Sequence, residues 1–415
     1  MGPAENGQKI SVPRKEHLVI YPNLSTKQHE RLYVAFLASL TAIPPLATDM
    51  YLAAIPTIAR EWQVSESLIS LSLVLWFATF SVGLLFCGPL SDRFGRKPVL
   101  LTGMTVFALA SFLCALGARA EHLILFRVLQ GLGASAPSSM GMAICRDRYE
   151  GDRRKLILAY MAILLSIVPM LSPILGALLL QFTGWRVIFV TQGVLVLICL
   201  GGALFYRETL GQPIAPGIRS MFGPYLRILK NTRYILAVFS MQVLGGPFFG
   251  YIAVSSLVYI SFFGLSPHEF SIFFGVNAFI SMLGALTCTR LHGKIRDLPL
   301  LTLCIAGASV GGAGLLLGGH WHPLGFAVGV GIYTFCYGMS RPLSNHIILE
   351  QVERDIGSAS SVLVFVQYMV GACCMWIVTM PWEQPPRAFG FLAFAFPAAA
   401  LLLWPFLLRK IRVPR

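Results

Sequence analysis

Repeated apolar runs of about 20 residues are the feature that most constrains how this chain of 415 residues can fold. One run of that length crosses the hydrocarbon core of a bilayer as a single helix. Charged residues make up only 12% of the chain, against about 25% in a typical soluble domain. The short alternating segments of a membrane β-barrel are not the pattern seen here. The sequence therefore predicts an all-α membrane protein that crosses the bilayer many times.

The apolar runs predict twelve transmembrane helices in two pseudo-symmetric six-helix bundles. A weak internal match supports the duplication, because 92–97 after the second run and 290–294 after the eighth both combine a glycine with basic residues. Two such bundles with a site at their interface are the architecture of alternating-access transporters. The predicted helices are 32–55, 68–88, 98–117, 122–145, 156–182, 186–206, 234–263, 267–289, 298–318, 323–349, 357–380 and 389–408.

The same pattern predicts the domain organisation and the terminal tails. We expect a cytoplasmic N-terminal tail at 1–31 and a cytoplasmic tail at 409–415. Between them we expect an N-terminal bundle at 32–206, a cytoplasmic linker at 207–233 and a C-terminal bundle at 234–408. The first 30 residues lack the apolar core of a cleavable signal peptide.

The net charge of +14 would fit a nucleic-acid-binding protein, but the distribution of the basic residues indicates a membrane protein. Of the 32 Lys and Arg residues, 26 lie in the tails and in the connections on one side, and two, Arg127 and Arg341, lie inside predicted helices. The positive-inside rule then places both termini in the cytoplasm, with the lipid bilayer as partner and no nucleic acid. Only four basic residues lie on the opposite side: Arg60, Arg119, Arg186 and Arg387.

The remaining composition argues against a metalloprotein or an enzyme. The nine Cys are scattered without metal-ligand spacing, so we expect no metal and no disulfide. No phosphate-binding loop, zinc-protease motif or nucleophile elbow is present, so we expect no enzymatic activity and no direct use of ATP. A proton gradient is the expected driving force, with no cofactor. A channel or receptor is disfavoured by the duplicated plan, and single-channel conductance would decide.

Asp49 is the only acidic residue well inside an apolar run. A carboxylate at the centre of a membrane helix costs about 2.5–3.5 kcal/mol on insertion scales. Such residues usually mark ion or proton pathways, although a structural Asp that hydrogen-bonds neighbouring helices is the simpler alternative. Arg127, in the fourth predicted helix, lies at a similar depth by helix rise.

The connection at 88–98, Gly-Pro-Leu-Ser-Asp-Arg-Phe-Gly-Arg-Lys-Pro, closely resembles the signature of the major facilitator superfamily. Ala-Thr-Asp-Met-Tyr-Leu at 47–52 and Arg-Val-Leu-Gln-Gly-Leu-Gly-Ala at 127–134 resemble motifs of drug:proton antiporters. Strings at 146–147, at 184–189, at 264–267 with Asn277, and at 349–350 followed by 357–360 together resemble the bicyclomycin-resistance (Bcr/CflA) branch of multidrug exporters. The resemblance covers roughly residues 32–408. The fifth helix departs from the pattern, since Ser172 stands where a Gly-Pro pair is usual.

The resemblance implies the major facilitator fold and a set of gating residues. Asp92 would meet the start of the eleventh helix near Gly357 and stabilise the outward-facing state. Glu350 would belong to an inner gate network. The gating candidates are Gly88, Asp92, Arg93, Gly95, Arg96, Arg146, Asp147, Pro173 and Glu350.

We hypothesise that Asp49 takes up and releases a proton during transport, with Arg127 as its electrostatic partner. The alternative for Arg127 is a structural hydrogen-bond hub on the backbone of the first helix. The substrate cavity should be mostly apolar with few polar groups, and Asp49 could also contact substrate. Further candidates facing it are Tyr51, Trp76, Ser135, Ser138, Met161, Gln242, Phe248, Tyr251, Asn277, Tyr337, Gln367 and Tyr368.

Arg341 in the tenth predicted helix admits two interpretations. It precedes Pro342 in the inner third of that helix, where a long side chain can snorkel to the cytoplasm. The sharper alternative is a site for anionic substrates in the second bundle.

Together these observations predict a monomeric multi-pass exporter of drug-like molecules in a bacterial inner membrane, with phenicol- or bicyclomycin-type antibiotics as plausible substrates. The alternative is a carrier of a native metabolite, such as an amino acid or a sugar.

Overall fold

The computed structural model describes residues 26–211, 223–291 and 293–411, and this part is almost entirely helical. A 3₁₀ turn covers Leu52–Ala54 and a π-helical segment covers Leu257–Phe262. The α-helices are α1 Thr26–Asp49, α2 Ile55–Trp62, α3 Glu66–Phe94, α4 Arg96–Leu116, α5 Ala120–Arg148, α6 Gly151–Phe182, α7 Trp185–Phe205, α8 Gly223–Leu229, α9 Thr232–Gln242, α10 Gly245–Ser256, α11 Pro267–Leu291, α12 Asp297–Gly318, α13 Pro323–Leu349, α14 Ile356–Val378 and α15 Pro385–Leu408.

These helices confirm the predicted twelve spans. The first span consists of α1 and α2, and the seventh consists of α9, α10 and the π-helical segment. Ten spans of the described chain are long and apolar enough to cross a membrane by length and composition. The two that fall below that standard are α5 and α13, the fourth span of each bundle, and each carries one of the two intramembrane arginines.

The two bundles repeat one packing scheme. In the first bundle α3 and α4 both pack on α5, and α4 also packs on α7. In the second bundle α11 and α12 both pack on α13, and α12 also packs on α15. The interface between the bundles is equally symmetric, because α3 lies against α14 and α6 lies against α11. This arrangement confirms two pseudo-symmetric six-helix bundles.

Both bundles contain a broken first span. In the first bundle α1 ends at Asp49 and α2 begins at Ile55, with Pro56 at its start. Proline is favoured in the first turn of a helix because its missing N–H needs no partner there. In the second bundle α9 ends at Gln242 and α10 begins at Gly245. A broken transmembrane helix exposes backbone groups that other helices must satisfy.

The boundaries of the first and second spans refine the prediction. The first span begins at Thr26 and continues to Trp62, beyond the predicted 32–55. It extends because α2 buries Ile55, Ile58 and Ala59 against the rest of the bundle. Ser65 caps the start of the second span, since its side chain accepts a hydrogen bond from the Leu68 amide at 3.2 Å.

We call the end of the molecule that carries Thr26 and Ile411 the near end, and the opposite end the far end. At the far end the bundles touch: the Leu52–Ala54 turn contacts α10, and α2 contacts Leu257–Phe262. The Ser261 hydroxyl donates to Glu66 Oε1 across this contact at 2.7 Å. The described part of the predicted linker contains a helix, α8, which carries Tyr225 and Arg227.

Candidate functional site

A cavity of about 440 Å³ lies between the two bundles, within the size range of small-molecule sites. It begins at mid-depth beside Asp49 and Trp76 and extends along the near-end half of α11 and α13 as far as Ala285 and Asn345. With the far end closed by contacts between the bundles, the cavity faces the near end. Its aromatic wall comes from both bundles: Trp76, Phe77, Phe80, Phe248, Phe249, Tyr251, Phe274 and Tyr368.

Asp49 lies on the cavity wall at the last residue of α1. Its side chain is 4% exposed, and the Thr48 hydroxyl donates to its Oδ1 at 2.8 Å. Among the described residues no ion pair within 4.0 Å includes Asp49. An unpaired acid beside a cavity can bind a proton or a cationic group, and it sits where the helix backbone is interrupted.

Arg127 is fully buried and binds the broken end of α1. Its Nη1 donates to the Ala47 carbonyl at 3.0 Å and to Gln130 Oε1 at 2.5 Å. The last carbonyls of a helix have no intrahelical donor, and a cation near the C-terminus also stabilises the helix dipole. Arg127 therefore acts here as the structural hub that was the alternative to pairing with Asp49, and its role in proton coupling stays a prediction.

A buried amide network extends this hub. Gln130 Nε2 donates to Ser111 at 2.7 Å and to Gln192 Oε1 at 3.0 Å, and Gln192 Nε2 donates to the Ala47 carbonyl at 3.3 Å. The Ala47 carbonyl thus accepts from two side chains, which lie on α5 and α7. The broken helix is held in place by helices from across its own bundle.

Aromatic rings surround the part of Arg127 that makes no hydrogen bond. Nε and Nη2 of Arg127 have no hydrogen-bond partner among the described residues. The guanidinium carbon lies 4.8 Å from the centroid of the Tyr51 ring, 5.5 Å from Trp76 and 5.9 Å from Phe189. Ring faces attract a cation, with a larger effect when water is excluded. The charge of Arg127 is therefore stabilised by π-systems in a place where no described carboxylate pairs with it.

In the second bundle a neutral side chain hydrogen-bonds the backbone carbonyl at the break of the first span. The Tyr333 hydroxyl on α13 donates to the Leu244 carbonyl at 2.7 Å, at the break between α9 and α10. Tyr333 of the fourth span thus serves the second bundle as Arg127 serves the first. Arg341, two helical turns further along α13, is left free for another role.

Arg341 borders the same cavity as Asp49, on the opposite bundle. Its residue is exposed, and Asn345, one turn further along α13, also lines the cavity. Tyr368 on α14 lines the same cavity. One cavity therefore presents an acid from the first bundle and a base from the second.

The predicted substrate residues divide into two groups. Asp49, Trp76, Phe248, Tyr251 and Asn277 line the cavity, as does Tyr368. The others do not line the cavity in this conformation, and their contact with substrate stays a prediction: Tyr51, Ser135, Ser138, Met161, Gln242, Tyr337 and Gln367.

Four residues of the second group, Tyr51, Gln242, Tyr337 and Gln367, hydrogen-bond other side chains. The Tyr51 hydroxyl hydrogen-bonds Ser72 at 3.0 Å, while its ring packs on Arg127. Gln367 Nε2 donates to the Tyr337 hydroxyl at 3.3 Å, and Gln242 Nε2 donates to Asn345 Oδ1 at 3.4 Å. Gln242 and Gln367 therefore support the second bundle from inside rather than facing the cavity directly.

Three of the predicted gating residues form a charge network at the near end of the first bundle. Arg96 pairs with Asp92 at 2.6 Å and with Asp147 at 2.9 Å. The side chain of Arg93 lies over the Phe94 ring at 5.2 Å, and the Arg146 carbonyl accepts a hydrogen bond from Arg154 at 3.0 Å. The predicted contact of Asp92 with the start of α14 is not made here; instead Asp92, with a side chain 46% exposed, pairs with its own loop.

The other gating candidates have varied surroundings. Gly95 has φ +99°, and a Cβ there would meet the Glu208 carboxylate. Gly88 has open space at its Cβ position, Pro173 is buried inside α6, and Glu350 is exposed at the end of α13. Their gating roles stay predictions.

Sequence reasoning missed two features of the near end. Glu208 lies in the predicted linker, yet its carboxylate accepts from the amides of Arg96 at 3.0 Å and Lys97 at 2.9 Å. The short helix α8 joins both bundles, because the Tyr225 hydroxyl donates to the Leu85 carbonyl and Arg227 pairs with Asp355 at 2.9 Å. The position of Glu208 just after a predicted helix was a weak indication that it could bind backbone amides. No feature of the sequence predicted that α8 would contact both bundles.

Comparisons with known proteins cover most of the chain. The family model described as Major Facilitator Superfamily matches residues 37–373. The uncharacterised MFS-type transporter YdgK of Bacillus subtilis is 33% identical over 83% of this chain and 87% of its own length. A bicyclomycin resistance protein homologue of Haemophilus influenzae is 25% identical over 82% of this chain and 87% of its own. The multidrug resistance protein MdtL of a Shewanella strain is 27% identical over 83% and 88%.

Solved structures agree on the fold. The crystal structure of a D-xylose-proton symporter superposes with a TM-score of 0.72 at 15% identity, covering 92% of this chain and 98% of its own. A bacterial homologue of the human lysosomal transporter Spinster, in an inward-facing conformation, gives a TM-score of 0.70 at 14% identity, covering 94% and 100%.

Proposed function

Since this chain belongs to the Major Facilitator Superfamily, a family of transporters and not of enzymes, we propose that it is a proton-coupled antiporter that exports drug-like molecules. The proposal places the multi-pass protein in a bacterial inner membrane as a monomer, with its near end in the cytoplasm. The cavity then opens to the cytoplasm, where an exporter collects its substrate. Relatives named for multidrug and bicyclomycin resistance support the substrate class.

The observation that carries the proposal is the position of Asp49. It is an ionisable group on the wall of the central cavity, without an ion-pair partner among the described residues, at the break of the first span. The break can move when the bundles rock, because Leu52–Ala54 contacts α10 of the other bundle. Asp49 thus lies where the access of water, and with it of protons, changes between the two sides.

The apolar character of the cavity favours drugs over sugars. Eight aromatic residues line it, and the other polar or charged residues of the wall are Thr48, Asp49, Ser166, Asn277, Ser281, Arg341 and Asn345. Aromatic surfaces accommodate varied apolar bodies, whereas a sugar site needs several fixed hydrogen-bonding groups. The alternative of a native metabolite carrier is tested by comparing uptake of labelled chloramphenicol, xylose and alanine into the same vesicles.

The test uses purified protein in liposomes and the change Asp49→Asn. Wild-type protein should concentrate labelled chloramphenicol or bicyclomycin when a pH gradient is imposed, whereas the asparagine amide of the variant cannot carry the proton. We therefore expect pH-driven accumulation to fall at least about tenfold, while exchange of labelled for unlabelled drug without a gradient persists. Glu121→Gln, which neutralises an exposed acid at the start of α5, is the matched control and should leave both measurements unchanged. Accumulation by Asp49→Asn at the wild-type level would refute the coupling role.

A further inference from the structure

The guanidinium of Arg341 is not paired with any other described residue. Its side chain borders the cavity, and among the described residues it has no ion pair and no hydrogen-bond partner. The break in the second bundle is already satisfied by Tyr333, so Arg341 is not needed there. A guanidinium is suited to bind a carboxylate through two parallel hydrogen bonds.

Asn345 supplies a second donor on the same face of α13. It lies four residues after Arg341, and residues at this spacing are neighbours on a helix. Gln242 Nε2 donates to Asn345 Oδ1 at 3.4 Å, which directs the Asn345 amide nitrogen away from α9. Since Asn345 lines the cavity, that nitrogen is available to a ligand, and Gln242 is a positioning residue.

Aromatic rings from both bundles form a wall of the cavity that also contains Asp49 and this donor pair. The Tyr368 ring lies 5.1 Å from Phe80 of the first bundle and 5.1 Å from Phe249 of the second. Phe77 lies 5.6 Å from Phe249 and completes the wall. A flat apolar body can therefore lie between the acid and the base.

The negative charge of the Asp49 carboxylate restricts which charged molecules the protein can exchange for protons. A purely anionic substrate at Arg341 would favour a proton on Asp49, so both would travel together. A substrate with a cationic group competes with the proton for the Asp49 carboxylate, and competition for one group gives exchange. Resting on the proposed antiport function, we propose that the preferred substrates are amphoteric aromatic molecules, with a cationic group bound by Asp49 and an acidic group bound by Arg341 and Asn345.

Three probes that share one aromatic body separate these contributions. The amphoteric probe is 4′-(aminomethyl)biphenyl-4-carboxylate, the cation is 4-phenylbenzylamine and the anion is biphenyl-4-carboxylate. Affinities are measured by calorimetry on the full chain in nanodiscs, without a pH gradient. We expect wild-type protein to bind the amphoteric probe at least about tenfold more tightly than either single-charge probe, the equivalent of about 1.4 kcal/mol.

Variants assign the two ends of the probe. Arg341→Gln should weaken the amphoteric probe about tenfold, to the affinity of the cation, and leave the cation unchanged. Arg341→Lys should keep part of the preference for the amphoteric probe over the cation. Such a result would also show that the protein tolerates substitution at this position. Asn345→Leu should have a smaller effect of the same kind. Arg354→Gln, an exposed arginine in the loop after α13, is the matched control and should change nothing.

Equal affinities of the three probes for the wild type, or equal losses of all three in Arg341→Gln, would overturn the inference. These outcomes are independent of the antiport proposal, because binding is measured without a gradient. Loss of pH-driven drug accumulation in Asp49→Asn combined with equal probe affinities would leave the antiporter standing and remove only the amphoteric preference.

Discussion

At the scale of single residues, Arg127 stabilises the end of α1 by a hydrogen bond to its backbone. It joins the Ala47 carbonyl at the end of α1 to Gln130, and Gln130 continues to Gln192. Without Arg127 the Ala47 carbonyl would keep only Gln192 as a side-chain donor, and a hydrogen bond to a charged group contributes about 1.5–3 kcal/mol. The first span would then lose part of the support that fixes the backbone beside Asp49.

We expect Arg127→Leu to lower the thermal unfolding midpoint of the detergent-solubilised protein, because the Ala47 carbonyl loses one donor. Gln130→Leu should lower it less. Since both residues belong to one network, the double variant should unfold at about the midpoint of Arg127→Leu alone. Midpoints are measured by tryptophan fluorescence. Additive losses in the double variant would show that the two residues act independently.

The sequence could single out Asp49 and Arg127, because ionisable residues inside apolar runs are rare and costly. It could not assign their partners. Tyr51 is two residues from Asp49, yet its ring faces Arg127 instead of the cavity. The break after Asp49 turns the chain, so helical spacing counted across 49–52 gives the wrong face.

At the scale of helices, the start of α4 depends on a residue more than one hundred positions away. Gly95, the residue before α4, has no side chain to cap the first amides. Glu208 supplies the missing acceptor to Arg96 and Lys97, and Lys97 Nζ in turn donates to the Leu204 carbonyl at 2.7 Å. These hydrogen bonds link the near end of α4 to the near end of α7.

Glu208→Ala should therefore fray the first turn of α4. Loss of an N-terminal cap typically costs about 1 kcal/mol, so backbone amides in the first turn should exchange with deuterium roughly fivefold faster. The measurement is hydrogen–deuterium exchange of peptides that cover 96–105. Glu150→Ala is the matched control, because Glu150 precedes α6 and makes no cap hydrogen bond. Unchanged exchange in Glu208→Ala would contradict the capping role.

The presence of each helix could be predicted from the sequence, whereas the breaks within the first and seventh spans could be predicted only in part. The apolar runs predicted twelve spans, although the runs that became α5 and α13 are the weaker ones, and Ser65 is a capping residue at the start of the second span. Ile55-Pro56 in the first run was a start signal for α2, but the apolar pattern continued through it. The break between Gln242 and Gly245 has no proline, and its stabilising contact comes from Tyr333 on a distant helix.

At the scale of the whole molecule, the far end is closed by contacts between the bundles. Ser261 Oγ and Glu66 Oε1 are 2.7 Å apart across that contact. In an alternating-access cycle this contact must separate when the cavity opens to the far side. A covalent link at this point would hold the conformation seen here.

In a background without the nine native cysteines, Glu66→Cys with Ser261→Cys should cross-link under mild oxidation and stop transport. Reduction with dithiothreitol should restore transport, because the far end can then open. Each single cysteine variant under the same oxidant is the control. Drug accumulation that continues while the protein is fully cross-linked would show that the far end does not need to open at this point.

The two arginine-bearing spans also bear on how the protein enters the membrane during synthesis. α5 and α13 are the two described spans that do not meet the standard for a membrane-crossing helix although both are long enough, and an arginine within a membrane helix raises the cost of insertion, most strongly at the helix centre. Each packs against the two spans that come immediately before it in its bundle, α3 and α4 or α11 and α12. These two spans therefore depend on neighbours made before them for stable insertion, so the order of synthesis matches the order in which each bundle can be assembled.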